Sequence, residues 1–141
     1  RYKQELEQLI ENLGLDNNVK MIGPVYGNQK NKLLKQAWAL ILPSHSEVIG
    51  MVNLEAALLK TPSITTYKTG LTDWDKNGGI LTNPDEESIS NALIKVSKWD
   101  KQIRIQNGEK IFNFVRLNYN LEKISNIWIE KYSEIKLEFQ K

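Results

Sequence analysis

Glu47 and Glu55 stand with seven residues between them, and Gly50 lies in that interval. Glu47 belongs to a polar stretch, SHSEVIG, and Glu55 to an almost wholly apolar one, MVNLEAALL. A carboxylate inside a packed helix is costly unless something pairs with it, so Glu55 calls for a partner. Between the two acids a glycine leads straight into a helix expected from about Met51, with no acid in its first turn. A helix start of that kind presents unpaired N–H groups and a partial positive charge, which suit a phosphate. A carboxylate accepts two hydroxyl hydrogen bonds well, as from a ribose. Glu47, Gly50, the helix start and Glu55 could therefore line up along one extended molecule carrying a sugar, a phosphate pair and a ribose.

The rest of the chain must position these groups. Its 141 residues suffice for one domain with a real core, and 40% hydrophobic with 26% charged residues is ordinary for a soluble globular protein. A net charge of +2, with lysines spread among acids, does not suggest a nucleic-acid binder. The absence of cysteine excludes disulfides, thiolate metal sites and a cysteine nucleophile, and the single histidine, His45, cannot by itself build a triad or a metal site. No apolar run approaches the roughly 20 residues of a membrane span. A cytoplasmic location is the expectation, with an inner membrane face reached through segments outside this chain as its variant.

Hydrophobic spacing predicts a helix over 1–13, closed by Gly14 with Leu15 as its apolar partner. A short strand is expected at Val19–Ile22 and a short helix at Gln29–Gln36. Ala37–Pro43 is apolar throughout, as a strand covered on both faces would be. Thr61–Thr66 and Gly78–Thr82 read as further strands. Helices are expected from Ser88, over Lys101–Arg116, and from an Asn120 N-cap to about Phe139. Short buried strands alternating with helices indicate a parallel sheet in an α/β layered domain, whose ligands bind beyond the carboxyl ends of the strands. The loop carrying Glu47 follows one such end.

Pro43-Ser44, Glu47, Gly50, Leu54-Glu55-Ala56 and Thr61-Pro62 resemble the signature of retaining glycosyltransferases of the GT-B fold, family four, the glycosyl transferases group 1. NVKMIGPV and GGILTNPDEESISNAL are similar to the family's flanking segments. The resemblance implies an α/β, Rossmann-like parallel sheet flanked by helices, the C-terminal half of a GT-B fold. Residues 1–141 would be a single nucleotide-sugar-binding domain, incomplete at its N-terminus. The missing strands would be central ones, and an N-terminal acceptor domain would be absent. It implies transfer of a sugar from a nucleotide-diphosphate sugar, with retention, to a glycan, lipid or other acceptor. Glu47 would face the donor sugar as the catalytic acid. Glu55 would hold the ribose. The amides of Val48, Ile49, Gly50 and Met51 would surround the diphosphate, with no metal and no cofactor beyond the donor itself.

The chain departs from that pattern in places. Val48-Ile49 replaces the family's Gly-Phe, and a β-branched residue resists positive φ, so the loop must be differently shaped or use that amide less. Lys60 stands where a glycine usually ends the helix. The family's glycine pair and acid become TGLTDWD. These changes keep an alternative open, a non-catalytic GT-B-like module that binds nucleotide or serves assembly. Trp38, Trp74, Trp99 and Trp128 are expected to be packing residues. Tyr26 could stack on a base. The last helix, with Ile124, Ile127, Trp128, Ile135 and Leu137 on its dry side, is expected to lean on the absent domain.

Overall fold

A computed structural model describes residues 2–138. The chain divides into two compact units, 1–30 and 31–141, with the division falling inside a helix.

In the first unit, α1 (Tyr2–Asn12) ends as its sequence requires. Gly14 takes a left-handed φ of 64°, its N–H bonds the carbonyl of Glu11 at 2.9 Å, and the N–H of Leu15 bonds that of Ile10 at 3.0 Å. This paired closure consumes carbonyls that the helix end would otherwise leave bare. The strand expected at Val19–Ile22 does not form: residues 19–26 are neither helix nor strand, and Val19, Met21 and Ile22 are exposed. A strand exists only where a neighbour completes its ladder, and no described segment pairs with this one. The helix α2 (Gly27–Gln36) begins two residues before its expected start.

The second unit carries the sheet. Strands β1 (Leu40–Leu42), β2 (Ser63–Thr66) and β3 (Ile80–Thr82) run parallel in that order, with Leu40 opposite Ser63 and Ile64 opposite Ile80. Helix α3 (Met51–Leu58) joins the first two strands, and α4 (Glu86–Ser97), α5 (Lys101–Asn118) and α6 (Leu121–Glu138) follow. The expected end of α6 at Phe139 and the side chain of Leu137 lie outside what is described.

The apolar run at 37–43 is not covered on both faces. Only Leu40–Leu42 form a strand, at the sheet's edge, and Ile41 is exposed. The fully buried strand is instead β2, SITT, rich in hydroxyls. It tolerates burial because those hydroxyls are satisfied. Thr65 Oγ1 donates to the Leu42 carbonyl at 3.1 Å, Thr66 Oγ1 to that of Ser44 at 2.5 Å, and the Trp74 indole N–H reaches Ser63 Oγ at 3.1 Å.

The core has two parts. Leu54, Ala57, Leu71, Trp74, Ile111 and Val115 pack α3 against α5. Ile64, Ile80, Ala92 and Val96 pack α4 on the other part of the sheet. Trp74 is wholly buried, and a side chain on Gly79 would run into its indole, so Gly79 makes room for it, while Gly78 lies against the Asn107 backbone. Arg104 ties α5 down by donating to the carbonyls of Lys60 (3.0 Å) and Ala37 (2.9 Å); its burial lowers its pKa while hydrogen bonds occupy its fork.

Candidate functional site

The Glu47 loop leaves β1 and is held from the far side by the turn after β2. Thr66 grips Ser44 as above. The Glu47 N–H donates to the Lys68 carbonyl at 3.2 Å, and the Gly70 N–H donates to the Val48 carbonyl at 2.7 Å. Gly70 meets the Val48 carbonyl so closely that a Cβ there would collide with it. The brace of the candidate catalytic loop is thus Thr66, Lys68 and Gly70, the last from the TGLTDWD segment that departs from the family pattern.

Gly50 carries the turn into α3. Its φ of 66° is left-handed, and a Cβ would lie 2.7 Å from Leu42 Cδ2 and 3.0 Å from Asn53 Nδ2. Both facts require glycine. The loop solves the β-branched problem by placing the positive φ at Gly50 alone: Val48 and Ile49 keep negative φ. α3 has no side-chain cap and no acid in its first turn; the Asn53 N–H is taken by the Gly50 carbonyl at 2.8 Å, and the N–H groups ahead of it are the ones placed to meet an anion.

Val48, Met51 and Glu47 are exposed, while Ile49 packs half-buried against the Trp74 core. Glu47 Oε1 accepts the N–H of Val48 at 3.1 Å, so the amide and the acid expected to serve a ligand occupy one another here. Glu55 lies half-buried on α3. With Met51, Leu54 and Leu58 it lines a cavity of about 530 Å³ whose other wall is Val115, Arg116, Tyr119, Asn120 and Glu122. Burial, and then the Asp73 carboxylate, push the Tyr119 phenol above its ordinary pKa. The structure therefore brings Glu47, Val48 and Gly50 together at the loop, and Met51 and Glu55 onto one wall of a cavity. His45 is exposed in the loop. Trp74 is a packing residue, and Trp128 stacks on Tyr132 at 5.6 Å while remaining largely exposed.

Sequence reasoning passed over Asn53. It is wholly buried one turn into α3, and neither atom of its side-chain amide has a partner. The signal was available: an amide inside MVNLEAALL is as anomalous as the acid two residues on. Lys60 was noted for its missing glycine. It adopts the left-handed conformation itself, with φ 59°, and the Thr61 N–H reaches back to the Ala56 carbonyl at 2.9 Å, as a glycine closure would allow. Its ammonium pairs with Glu109 at 2.6 Å. Among the described residues, no three His, Asp or Glu side chains gather as metal ligands would, and no helix is long and apolar enough to cross a membrane.

A parallel α/β sheet with a glycine-opened helix after its first strand is the class of domain that binds ligands at its strand ends, and the comparisons supply the family. The chain belongs to the glycosyl transferases group 1 family, whose model matches residues 1–111. The O-antigen chain mannosyltransferase RfbU of Salmonella typhimurium is 31% identical over 94 residues, 67% of this chain and 27% of that protein. The chain spans about a quarter of the length of the curated relatives it matches. The C-terminal domain of the group 1 glycosyl transferase LpcC from Francisella tularensis is 25% identical, with a TM-score of 0.71 over 85% of this chain and 63% of that one. HepE from Anabaena, solved with UDP and glucose, superposes with a TM-score of 0.77 at 24% identity, over 94% of this chain and 36% of that one. The fold is that of GT-B glycosyltransferases.

Proposed function

We propose that this chain is the donor-binding half of a retaining, family-four glycosyltransferase that moves a sugar from a nucleotide-diphosphate sugar to a glycan, lipid or other acceptor. The observation that carries it is the left-handed Gly50 opening an uncapped α3 between two acids, one at the loop and one on a cavity wall. The family membership supports the class of reaction, and the UDP complex of HepE supports a nucleotide donor by analogy.

In this reading the amides from Val48 to Met51 receive the diphosphate, and Glu55 receives the ribose hydroxyls. When the bond from the anomeric carbon to phosphate breaks, its electron pair leaves with the diphosphate, and positive charge develops on the sugar. Glu47 faces that charge. The acceptor hydroxyl then bonds to the anomeric carbon and passes its proton to an oxygen of the departing diphosphate. Stabilisation of the leaving diphosphate comes from fixed N–H dipoles, without a metal.

Titration calorimetry of the full-length protein with UDP, GDP and ADP, with and without magnesium, tests this. Binding of at least one diphosphate, unchanged by chelator, is expected. Binding that appears only with magnesium contradicts the metal-free site, and binding of none contradicts the donor role.

A further inference from the structure

Asn53 sets a problem that the donor reading does not yet solve. Its side chain is wholly buried with both polar atoms unpartnered. An amide stripped of water and given nothing in return opposes folding, and such a group in a native structure calls for an explanation. Its backbone does ordinary work, the N–H bonding the Gly50 carbonyl at 2.8 Å. Only the side chain is idle.

Its surroundings indicate what it waits for. The space beside the Gly50 α-carbon, where any other residue would place a Cβ, is bounded by Leu42 Cδ2, by Asn53 Nδ2 at 3.0 Å and by Glu47 Cγ at 3.2 Å. Two atoms each about 3 Å from one point are at most about 6 Å apart. The Glu47 carboxylate begins one bond beyond Cγ, so closing the gap takes a change of side-chain rotamer that carries Cγ toward the amide. Gly50, lacking a Cβ, puts no side-chain atom of its own between them. Either end of the Asn53 amide can present the donor, since a half-turn exchanges its oxygen and nitrogen.

We propose that Asn53 is a positioning residue that receives the Glu47 carboxylate when a diphosphate occupies the start of α3. The proposal rests on the donor-site reading above. In the ligand-free state Glu47 sits on the Val48 N–H. An incoming diphosphate competes for that N–H and repels the carboxylate, because both are anions. The displaced carboxylate crosses beside Gly50 and accepts from Asn53. This satisfies the buried amide, frees the Val48 N–H for the phosphate, and fixes the orientation of the acid that faces the sugar. Asn53 thus acts on the reaction only through Glu47.

A double-mutant cycle in the full-length protein tests this, with UDP, GDP and ADP as probes and the tightest binder retained. Asn53→Leu, similar in shape and fully apolar, melts at or above the parent without ligand, yet binds the diphosphate about tenfold more weakly, the scale of one hydrogen bond to a charged group. In a Glu47→Ala background the acceptor is gone, so Asn53→Leu changes the dissociation constant less than twofold. In transfer assays the loss appears in donor KM and in kcat, and acceptor KM is unmoved. Asn53→Ala serves as the second variant should leucine fit badly. Equal weakening in both backgrounds, or no weakening in the parent background, overturns the role of Asn53 and leaves the donor site standing. A parent that binds none of the three diphosphates overturns the donor reading, and this inference with it.

Discussion

At the scale of residues, the two glutamates differ in setting, and the proposed function gives them different roles. Glu47 is exposed on a braced loop and Glu55 is half-buried on a cavity wall. The proposed chemistry makes their substitutions diverge. Glu47→Gln keeps nucleotide binding and lowers kcat by about 10²–10³, because an amide cannot balance charge that develops only in the transition state. Glu55→Gln raises donor KM with kcat nearly intact, because a ribose contact is present in ground and transition states alike. Steady-state kinetics of the full-length variants decides it, and parental transfer by Glu47→Gln would remove the catalytic assignment. The sequence pointed to both acids and Gly50 through residue type, spacing and the family resemblance together. It could not offer the mutual occupation of Glu47 and the Val48 N–H, or the idle amide of Asn53, because those depend on side-chain directions that no spacing encodes.

At the scale of elements, helices were read well because their ends carry local chemistry. Asp100 caps α5 by accepting from the Ile103 N–H at 2.8 Å. Asp85 caps α4 in the same way through the Ser88 N–H at 2.8 Å, so the helix begins at Glu86, two residues ahead of the start its sequence suggested. The strands were read less well. Val19–Ile22 has the composition of a strand and no ladder, while the buried β2 is hydroxyl-rich and the apolar β1 is an edge. Burial of a strand is set by what lies on either side, which is tertiary information. The cap on α4 yields a pH prediction. The backbone N–H of Ser88, then its hydroxyl, hold the Asp85 carboxyl below the ordinary carboxylate range. A lowered folded pKa means that the stabilisation is present at neutral pH and disappears as pH falls through that lowered value. Asp85→Ala should therefore lower the melting temperature by a few degrees at neutral pH, and the gap to the parent should close in acid. Asp85→Asn should melt near the parent at neutral pH. Thermal melts across pH measure this, and a gap for Asp85→Ala that persists unchanged in acid would show that the cap's charge contributes nothing.

At the scale of the whole molecule, the segment at 19–26 matters most. Its Val-Lys-Met-Ile pattern resembles a strand of the family, yet its backbone finds no ladder among the described residues. The chain spans about a quarter of the length of its curated relatives, so a longer protein can supply strand neighbours that these residues do not. We propose that 19–22 becomes a strand when those neighbours are present. Amide hydrogen exchange on the full-length protein and on the 141-residue chain distinguishes the two states. In the full-length protein, 19–22 should exchange as slowly as Ser63–Thr66 of β2, because laddered amides open only with their sheet. In the shorter chain, 19–22 should exchange orders of magnitude faster than β2, as solvated amides do. Equal, fast exchange of 19–22 in both proteins would mean that this segment is a loop wherever it occurs. The family-like sheet would then have to close around something else.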